Sequence, residues 1–294
     1  MRIEGWGRID RDTPLSFTFA GQKMQGFQGD TLASALLASG VRLVGRAFKY
    51  HRPRGILTAG AEEPNALVTI GAGPGAEPNV RATMQELYAG LEARPQNAWP
   101  SLRHDLLSLT YLFAPFLGAG FYYKTFMGPG KAWEKLYEPL IRRAAGLGAL
   151  SGAPNPHAYA NAHAQCDLLV IGGGPAGLAA ALRAAEAGAD VILADEGPEL
   201  GGRLLSEREE IAGRPAAEWV AAQGQALAKH PNLRLLPRTT ITGAYDSGSF
   251  GALERRGQHL ARQPKGAALE CFWRIAARRA NLASGAHERT NTLT

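Results

Sequence analysis

Apolar and polar positions alternate near the start of the chain, and this alternation predicts a β-hairpin. Residues 15–19 (Leu-Ser-Phe-Thr-Phe) follow the two-residue period of a half-buried strand. Residues 20–23 form a turn-like segment with a glycine, and residues 24–27 predict the returning strand. The first element is therefore expected to be a two-stranded antiparallel ribbon.

A helix and a further strand are predicted after the hairpin. Residues 31–39 are helix-forming, with Asp30 as the expected N-cap and Gly40 at the end, and residues 66–70 predict a short strand. Hairpin, helix, loop and strand follow one another as in the β-grasp fold of a two-iron ferredoxin. The loop that would hold the cluster, residues 46–61, contains no cysteine. Because such clusters are held by cysteine thiolates, the sequence predicts a cluster-free ferredoxin-like scaffold and no iron–sulfur cluster.

The region from residue 80 to residue 146 is predicted to be largely helical, with Asn79 as the first cap. The apolar run 106–126 approaches the length of a membrane span. Pro115 and two glycines interrupt its middle, so the pattern favours a buried helix followed by an aromatic loop, and no membrane association is expected. An amphipathic stretch over 129–147 predicts another helix whose apolar side packs on a core.

A dinucleotide-binding unit is predicted after a Gly/Pro-rich linker. The apolar run 168–171 suits a buried parallel strand, and the glycine-rich turn 172–177 follows it at once. Residues 178–187 form a helix and residues 190–194 a second strand, with Asp195 at its end. Strand, glycine turn, helix, strand and acid together predict a Rossmann-type unit, which is a more specific pattern than the glycine motif alone.

Each of these positions has a physical role in such a unit. Gly172 allows the tight turn, Gly174 lets the backbone approach a pyrophosphate, and Gly177 lets the helix pack closely on the strand. The helix N-terminus offers N–H groups and a positive dipole end to phosphates. Asp195 lies about 20 residues after Gly174, where a carboxylate binds a ribose hydroxyl, and Glu196 fits nearly as well.

The acid restricts the cofactor without fixing it. A carboxylate would repel a 2′-phosphate, so NADP is disfavoured, whereas NAD and FAD both present a free 2′-hydroxyl. Arg203 could reach phosphate or ribose, or it could be an ordinary exposed arginine in a turn. The third strand region is expected near the adenine, which adds Ile241 to the candidate cofactor residues, and the C-terminal segment adds Ser284 and Gly285. The seven histidines show no metal-ligand spacing and no paired nucleophile, so no catalytic residue is predicted.

Composition narrows the class of protein. The net charge of +6 and the pI near 9.5 come from scattered arginines without a nucleic-acid motif, so no nucleic-acid partner is expected. Two cysteines cannot build a disulfide framework, and the first residues lack the apolar region of a signal peptide, so the expected location is cytoplasmic. The predicted division is a β-grasp domain (1–100), a helical connector and linker (101–164) and an incomplete Rossmann-type domain (165–294).

Several segments resemble one known family, the alpha subunits of heterotetrameric sarcosine oxidase. The resemblance rests on residues 45–55 (Gly-Arg-Ala-Phe-Lys-Tyr-His-Arg-Pro-Arg-Gly), on 120–126, on the Rossmann opening with Ala194-Asp195-Glu196, and on 243–246. It implies oxidative demethylation of sarcosine, with a flavin-bearing beta-type subunit and smaller subunits as partners, and NAD held by this chain. By this resemblance the NAD site is lined by Gly172, Gly174, Pro175, Ala176, Gly177, Asp195, Glu196, Gly202 and Arg203.

The C-terminal end departs from the family pattern. Family members continue well beyond this length, and Thr290 stands where the family has a proline after a Glu-Arg pair. We therefore expect a truncated or frameshifted chain that is inactive alone. Two alternatives stay open: a subunit of a related opine or proline dehydrogenase complex, and a non-catalytic interaction module whose nucleotide fold is empty.

Overall fold

The computed structural model describes residues 2, 7–121, 126, 128–144 and 148–286. The chain forms two compact units, the first made mostly of Ile9–Pro156 and the second mostly of His157–His287.

The first unit is built on a mixed sheet. Its elements are β1 Asp10–Phe19, β2 Gln22–Gln28, α1 Leu32–Ala38, β3 Gly45–Arg46, β4 Pro53–Arg54, β5 Leu67–Ile70, β6 Glu77–Arg81 and β7 Glu92–Pro95. Within the described residues, five of its strands pair in the order β2-β1-β7-β5-β6, with β1 and β7 parallel and the other pairs antiparallel. A two-residue ribbon, β3-β4, lies outside this sheet. The predicted hairpin, helix and strand are confirmed, and with them the β-grasp plan.

Helix α1 begins one residue later than predicted. Thr31 is its N-cap: its hydroxyl accepts from the Ser34 N–H, and the Ser34 hydroxyl accepts from the Thr31 N–H. Asp30 instead accepts from the Phe27 N–H at 2.9 Å and from the Ser34 hydroxyl at 2.6 Å. Leu32, Ala33, Ala35 and Leu36 on this helix are buried in the core against the sheet.

The helical prediction for the following region was wrong in part. Asn79 lies in strand β6 with φ +60°, and β7 follows, because these segments complete the sheet on either side of β5. The apolar run forms a 3-10 helix, Leu106–Leu117, which continues through Pro115 and contains no buried residue. One π-helical turn, Trp133–Tyr137, leads into α2, Glu138–Ala144, where Leu136 and Leu140 are more than half exposed rather than in a core.

Part of the run 106–126 lies outside the described residues. Among the helices of the described ranges, none is long and apolar enough to cross a membrane.

The second unit is a Rossmann-type sheet of four parallel strands, extended on one side by two antiparallel strands. Its elements are β8 Ala158–Ile171, α3 Pro175–Glu186, β9 Val191–Ala194, β10 Glu210–Ile211, β11 Arg214–Pro215, α4 Ala216–Leu227, β12 Leu233–Leu236, β13 Thr239–Tyr245, β14 Ser249–Arg255 and β15 Ala268–Leu282. Within the described residues its six-stranded sheet has the order β12-β9-β8-β15-β14-β13. Strands β12, β9, β8 and β15 are parallel to one another, whereas β14 is antiparallel to both β15 and β13.

Two long parallel strands, β8 and β15, form the middle of this sheet. Strand β8 pairs with β15 along almost its whole length, from Ala158 opposite Ala268 to Ile171 opposite Leu282. Residues 158–164, predicted as linker, are therefore strand, and Ala160, Ala162 and Ala164 pack against one apolar cluster. The predicted Rossmann strands and helix are confirmed.

Candidate dinucleotide site

The turn that leaves β8 requires glycine at two positions. Gly172 has φ +107°, which only glycine adopts readily, and its N–H donates to the Ala194 carbonyl at 2.8 Å. A Cβ on Gly172 would overlap the backbone of Ala283, and a Cβ on Gly177 would overlap the Gly172 carbonyl oxygen. These contacts allow α3 to start directly against the end of the strand, as the sequence pattern predicted.

The N-cap of α3 is Gly174, which has no side chain to cap the helix. A Cβ placed on Gly174 would meet no atom of the described residues within 4 Å, so this side of the helix N-terminus is open among them. The next two residues, Pro175 and Ala176, are exposed. Because the first N–H groups of a helix lack intrahelical partners and carry the positive end of its dipole, this geometry suits a phosphate.

Asp195 is fixed beside the glycine turn. Its Oδ2 accepts from the Gly173 N–H at 2.5 Å and its Oδ1 accepts from the Gly197 N–H at 2.7 Å. A carboxylate has about four acceptor positions, so these two bonds orient the group and leave capacity for a ribose hydroxyl. Glu196 follows directly, and its backbone carbonyl accepts from the Arg255 guanidinium at 2.6 Å.

A second pair of glycines lies over the first turn. The Gly201 N–H donates to the Gly173 carbonyl at 2.8 Å, and a Cβ on Gly202 would lie 3.1 Å from the Gly174 Cα. Positive φ angles of +127° and +54° explain why both positions are glycine. Arg203 donates to Glu207 at 2.6 Å, and its side chain is largely exposed.

Sequence reasoning did not predict the roles of Gly173 and Gly201. The Gly173 N–H binds the Asp195 carboxylate, and the Gly201 N–H joins the two glycine turns by donating to the Gly173 carbonyl. The adjacent pairs Gly172-Gly173 and Gly201-Gly202 were the available signal.

The remaining candidate residues lie around this centre. Strand β13 begins beside the acid, since the Thr239 N–H donates to the Asp195 carbonyl at 2.7 Å, and Ile241 packs against the adjoining apolar cluster. Ser284 and Gly285 are exposed just after β15, where the Ala283 N–H donates to the Ile171 carbonyl at 2.8 Å. Gly172 is therefore bordered by the start of this C-terminal segment.

Both cysteines are buried in the second unit. Burial raises the pKa of the Cys166 thiol to about 11 and also raises the pKa of Cys271. In the part of the chain that the structure describes, no group of three or more His, Cys, Asp or Glu is arranged to hold a metal ion.

Comparison with known families agrees with the two units. Residues 12–98 match the family described as "2Fe-2S iron-sulfur cluster binding domain", and residues 167–228 match "FAD dependent oxidoreductase". The chain thus joins a ferredoxin-type domain to an FAD-oxidoreductase, Rossmann-type domain. The L-proline dehydrogenase of P. horikoshii has a similar fold, with TM-score 0.59, 18% identity, and coverage of 97% of this chain and 43% of that one.

Curated relatives narrow the class further. The chain is 60% identical over 288 residues to the sarcosine oxidase subunit alpha of Rhizobium meliloti (strain 1021), a match that covers 98% of this chain and 29% of that protein. It is 38% identical over 287 residues to the subunit of the same name from Corynebacterium sp. (strain U-96), covering 96% and 25%. Over nearly its whole length, the chain is thus a relative of sarcosine oxidase alpha subunits, and it spans less than a third of their length.

The ferredoxin-type match does not come with a ligand set for a cluster. An all-cysteine two-iron cluster needs four thiolates. The chain has two cysteines, and both lie outside residues 12–98. The residues present therefore do not fit an iron–sulfur cluster, and no step of the proposed function involves one.

Proposed function

We propose that the chain is the dinucleotide-holding part of an amine oxidoreductase of the sarcosine oxidase type. The observation that carries the proposal is the arrangement at the end of β8: an open helix N-terminus at Gly174 beside the oriented Asp195 carboxylate. In this proposal α3 binds the pyrophosphate and Asp195 binds the adenosine ribose. The 60% identity to a sarcosine oxidase alpha subunit supports the assignment to an amine-oxidising complex.

The cofactor proposed is NAD, with FAD as the alternative. The Asp195 carboxylate disfavours a 2′-phosphate, so NADP is the weakest candidate. When bound, either dinucleotide would supply a hydride acceptor, whereas this chain supplies binding and orientation. The match of residues 167–228 to FAD dependent oxidoreductases keeps FAD in the test.

The partners proposed are a flavin-bearing beta-type subunit and smaller subunits, and the reaction proposed is oxidative demethylation of sarcosine in the assembled complex. These steps rest on the sequence relatives. The proposal assigns no chemical step to a side chain of this chain and expects it to be inactive alone.

The binding test is direct. The purified chain is examined by visible absorbance and then titrated calorimetrically with NAD, FAD and NADP. Saturable binding of NAD by a colourless protein supports the proposal, and a yellow protein with flavin absorbance favours FAD. Failure to bind any of the three would overturn dinucleotide holding and favour an interaction module.

Assembly and substrate are tested separately. The chain is co-expressed with a beta-type subunit, and the co-purified complex is assayed with sarcosine, proline and an opine. Turnover of sarcosine above the other two supports the proposed reaction. Preference for proline or an opine would move the chain to a related complex, and failure to co-purify would count against the complex itself.

A further inference from the structure

The loop between α1 and β5 folds around one buried carboxylate. The Glu63 side chain is only 1% exposed. Its Oε2 accepts from the Leu57 and Thr58 N–H groups, both at 2.7 Å, and its Oε1 accepts from Asn65 at 2.8 Å and Ala66 at 3.0 Å. Four described backbone N–H groups therefore converge on one anion.

The loop follows the helix of the β-grasp plan and falls within residues 12–98, the segment that matches the cluster-binding family. Its residues 46–61 are the segment expected to hold a cluster by analogy with a two-iron ferredoxin. Leu57 and Thr58 belong to that segment, and Glu63 lies two positions beyond it. A cluster is anionic, and hydrogen bonds to its sulfurs are part of its site. Here the loop contains no cysteine, whereas its N–H groups still point inward to a negative charge.

We propose that the Glu63 carboxylate replaces the iron–sulfur cluster as the internal anion of this loop, so that the ferredoxin-like unit folds without iron. A buried charge is tolerated only when hydrogen bonds compensate its lost hydration, and here each oxygen receives two from backbone N–H groups. The same bonds give acceptors to four backbone N–H groups, one of which belongs to the fully buried Ala66. Glu63 is thus a structural substitute for the cluster, and the unit is expected to have no redox role of its own.

The neighbouring side chain provides a matched control. Glu62 is exposed, whereas Glu63 is buried, so E62Q and E63Q remove the same charge from adjacent positions. The E63Q amide nitrogen cannot accept a hydrogen bond and presents donors to two backbone N–H groups. The test uses the full chain and measures amide hydrogen exchange in peptides that contain Leu57, Thr58, Asn65 and Ala66.

We expect E63Q to exchange at least about tenfold faster than the wild type at these amides, and E62Q to match the wild type. Equal protection in E63Q and E62Q would overturn the proposal. If E63Q does not fold while E62Q and E63D do, the role of the carboxylate is supported, because E63D keeps the charge. Failure of all three would contradict a role specific to position 63.

A second measurement does not depend on a variant. The wild-type chain is refolded once with a chelator and once with ferrous iron and sulfide, and the loop amides and bound iron are compared. We expect equal protection and no bound iron in both samples. Stoichiometric iron, or protection that appears only with iron, would overturn the proposal.

Discussion

In the ferredoxin-like unit, backbone N–H groups converge on the Glu63 carboxylate, whereas in the nucleotide unit no described atom lies within 4 Å of a Cβ placed on Gly174, at the N-terminus of α3. Both are places where backbone donors point to a negative charge. In the first the protein supplies that charge from its own side chain, and in the second the geometry leaves room for a ligand's phosphate. Whether a set of converging backbone donors can bind a ligand therefore depends on what those donors already bind.

The helix N-termini repeat this contrast. Helix α1 is closed by the reciprocal bonds of Thr31 and Ser34, whereas the N-cap of α3 is a glycine without a side chain. A side-chain cap competes with an external anion for the same N–H groups. The open end belongs to the unit that matches the FAD dependent oxidoreductases.

The largest effect on stability and nucleotide binding is expected from a substitution that disturbs the glycine turn before α3. In G177A the added Cβ would overlap the Gly172 carbonyl, so α3 must move away from β8. We expect NAD and FAD binding to be lost, and the free energy of unfolding to fall by about 3 kcal/mol, the upper end of the overpacking range. Calorimetric titration and denaturant unfolding measure the two quantities.

The control for this change is G224A, in the middle of α4. A Cβ there would meet no atom of the described residues within 4 Å, so we expect unchanged binding and up to about 1 kcal/mol of added stability. Unchanged nucleotide affinity in G177A would contradict the packing argument.

A smaller effect is expected from neutralising the acid. In D195N the ribose loses a charged acceptor and the Gly173 N–H loses part of its acceptor geometry. Because hydrogen bonds to charged groups contribute about 1.5–3 kcal/mol, we expect the Kd for NAD to rise about 10- to 100-fold, with a smaller rise for NADP. The exposed D246N serves as the control, and equal affinities in the two variants would remove Asp195 from the site.

The stability of the loop around Glu63 is expected to depend on pH. Burial alone would raise the pKa of Glu63, but the backbone hydrogen bonds from Thr58, Asn65, Leu57 and Ala66 outweigh it and hold the pKa below the usual glutamate value. A pKa lower in the folded than in the unfolded state means that the stabilisation is complete above the unfolded value, about 4.3, and is lost as pH falls through the folded one. We expect loop-amide protection to decline in this acid range in the wild type and to decline less in E63Q. Parallel pH profiles of loop-amide protection in the wild type and E63Q would contradict the stabilising role of the ionised Glu63.

The smallest effect on stability is expected from removing the side-chain cap of helix α1. T31A removes the hydroxyl that accepts from the Ser34 N–H, so we expect a loss of about 1 kcal/mol in the free energy of unfolding of the first unit. The exposed S39A at the other end of α1 should change stability less. An equal loss in both variants would show that the cap itself contributes little.

Local patterns predicted much of both units, because hairpin alternation, helix capping and the glycine turn act over a few residues. The elements that were predicted wrongly are strands that pair with residues far away in the sequence. Residues 77–81 and 158–164 are strands because β5 and β15 bind them. Residues 77–81 have no apolar period of their own, and in 158–164 it is only alanine that alternates with larger side chains, which is a weak strand signal. For the same reason the sequence could name Asp195 but not the 2.5 Å bond from Gly173 that orients it.

The Glu63 arrangement was also beyond sequence reasoning. The absence of cysteine from the loop was visible, but a glutamate in a polar segment is ordinarily exposed. Its burial and the converging N–H groups distinguish it from Glu62.

The pairing of β8 with β15 has a consequence for the order of folding during synthesis. Ile171 and Leu282 are neighbours across the sheet although more than a hundred positions separate them in the chain. Among the described strands of the second unit, β15 is therefore synthesised last, and contacts so distant in sequence form slowly. Until β15 has left the ribosome, one long edge of β8 exposes unpaired backbone groups to other chains. The second unit is thus expected to depend on chaperones during translation more than the first, whose strands pair over shorter separations.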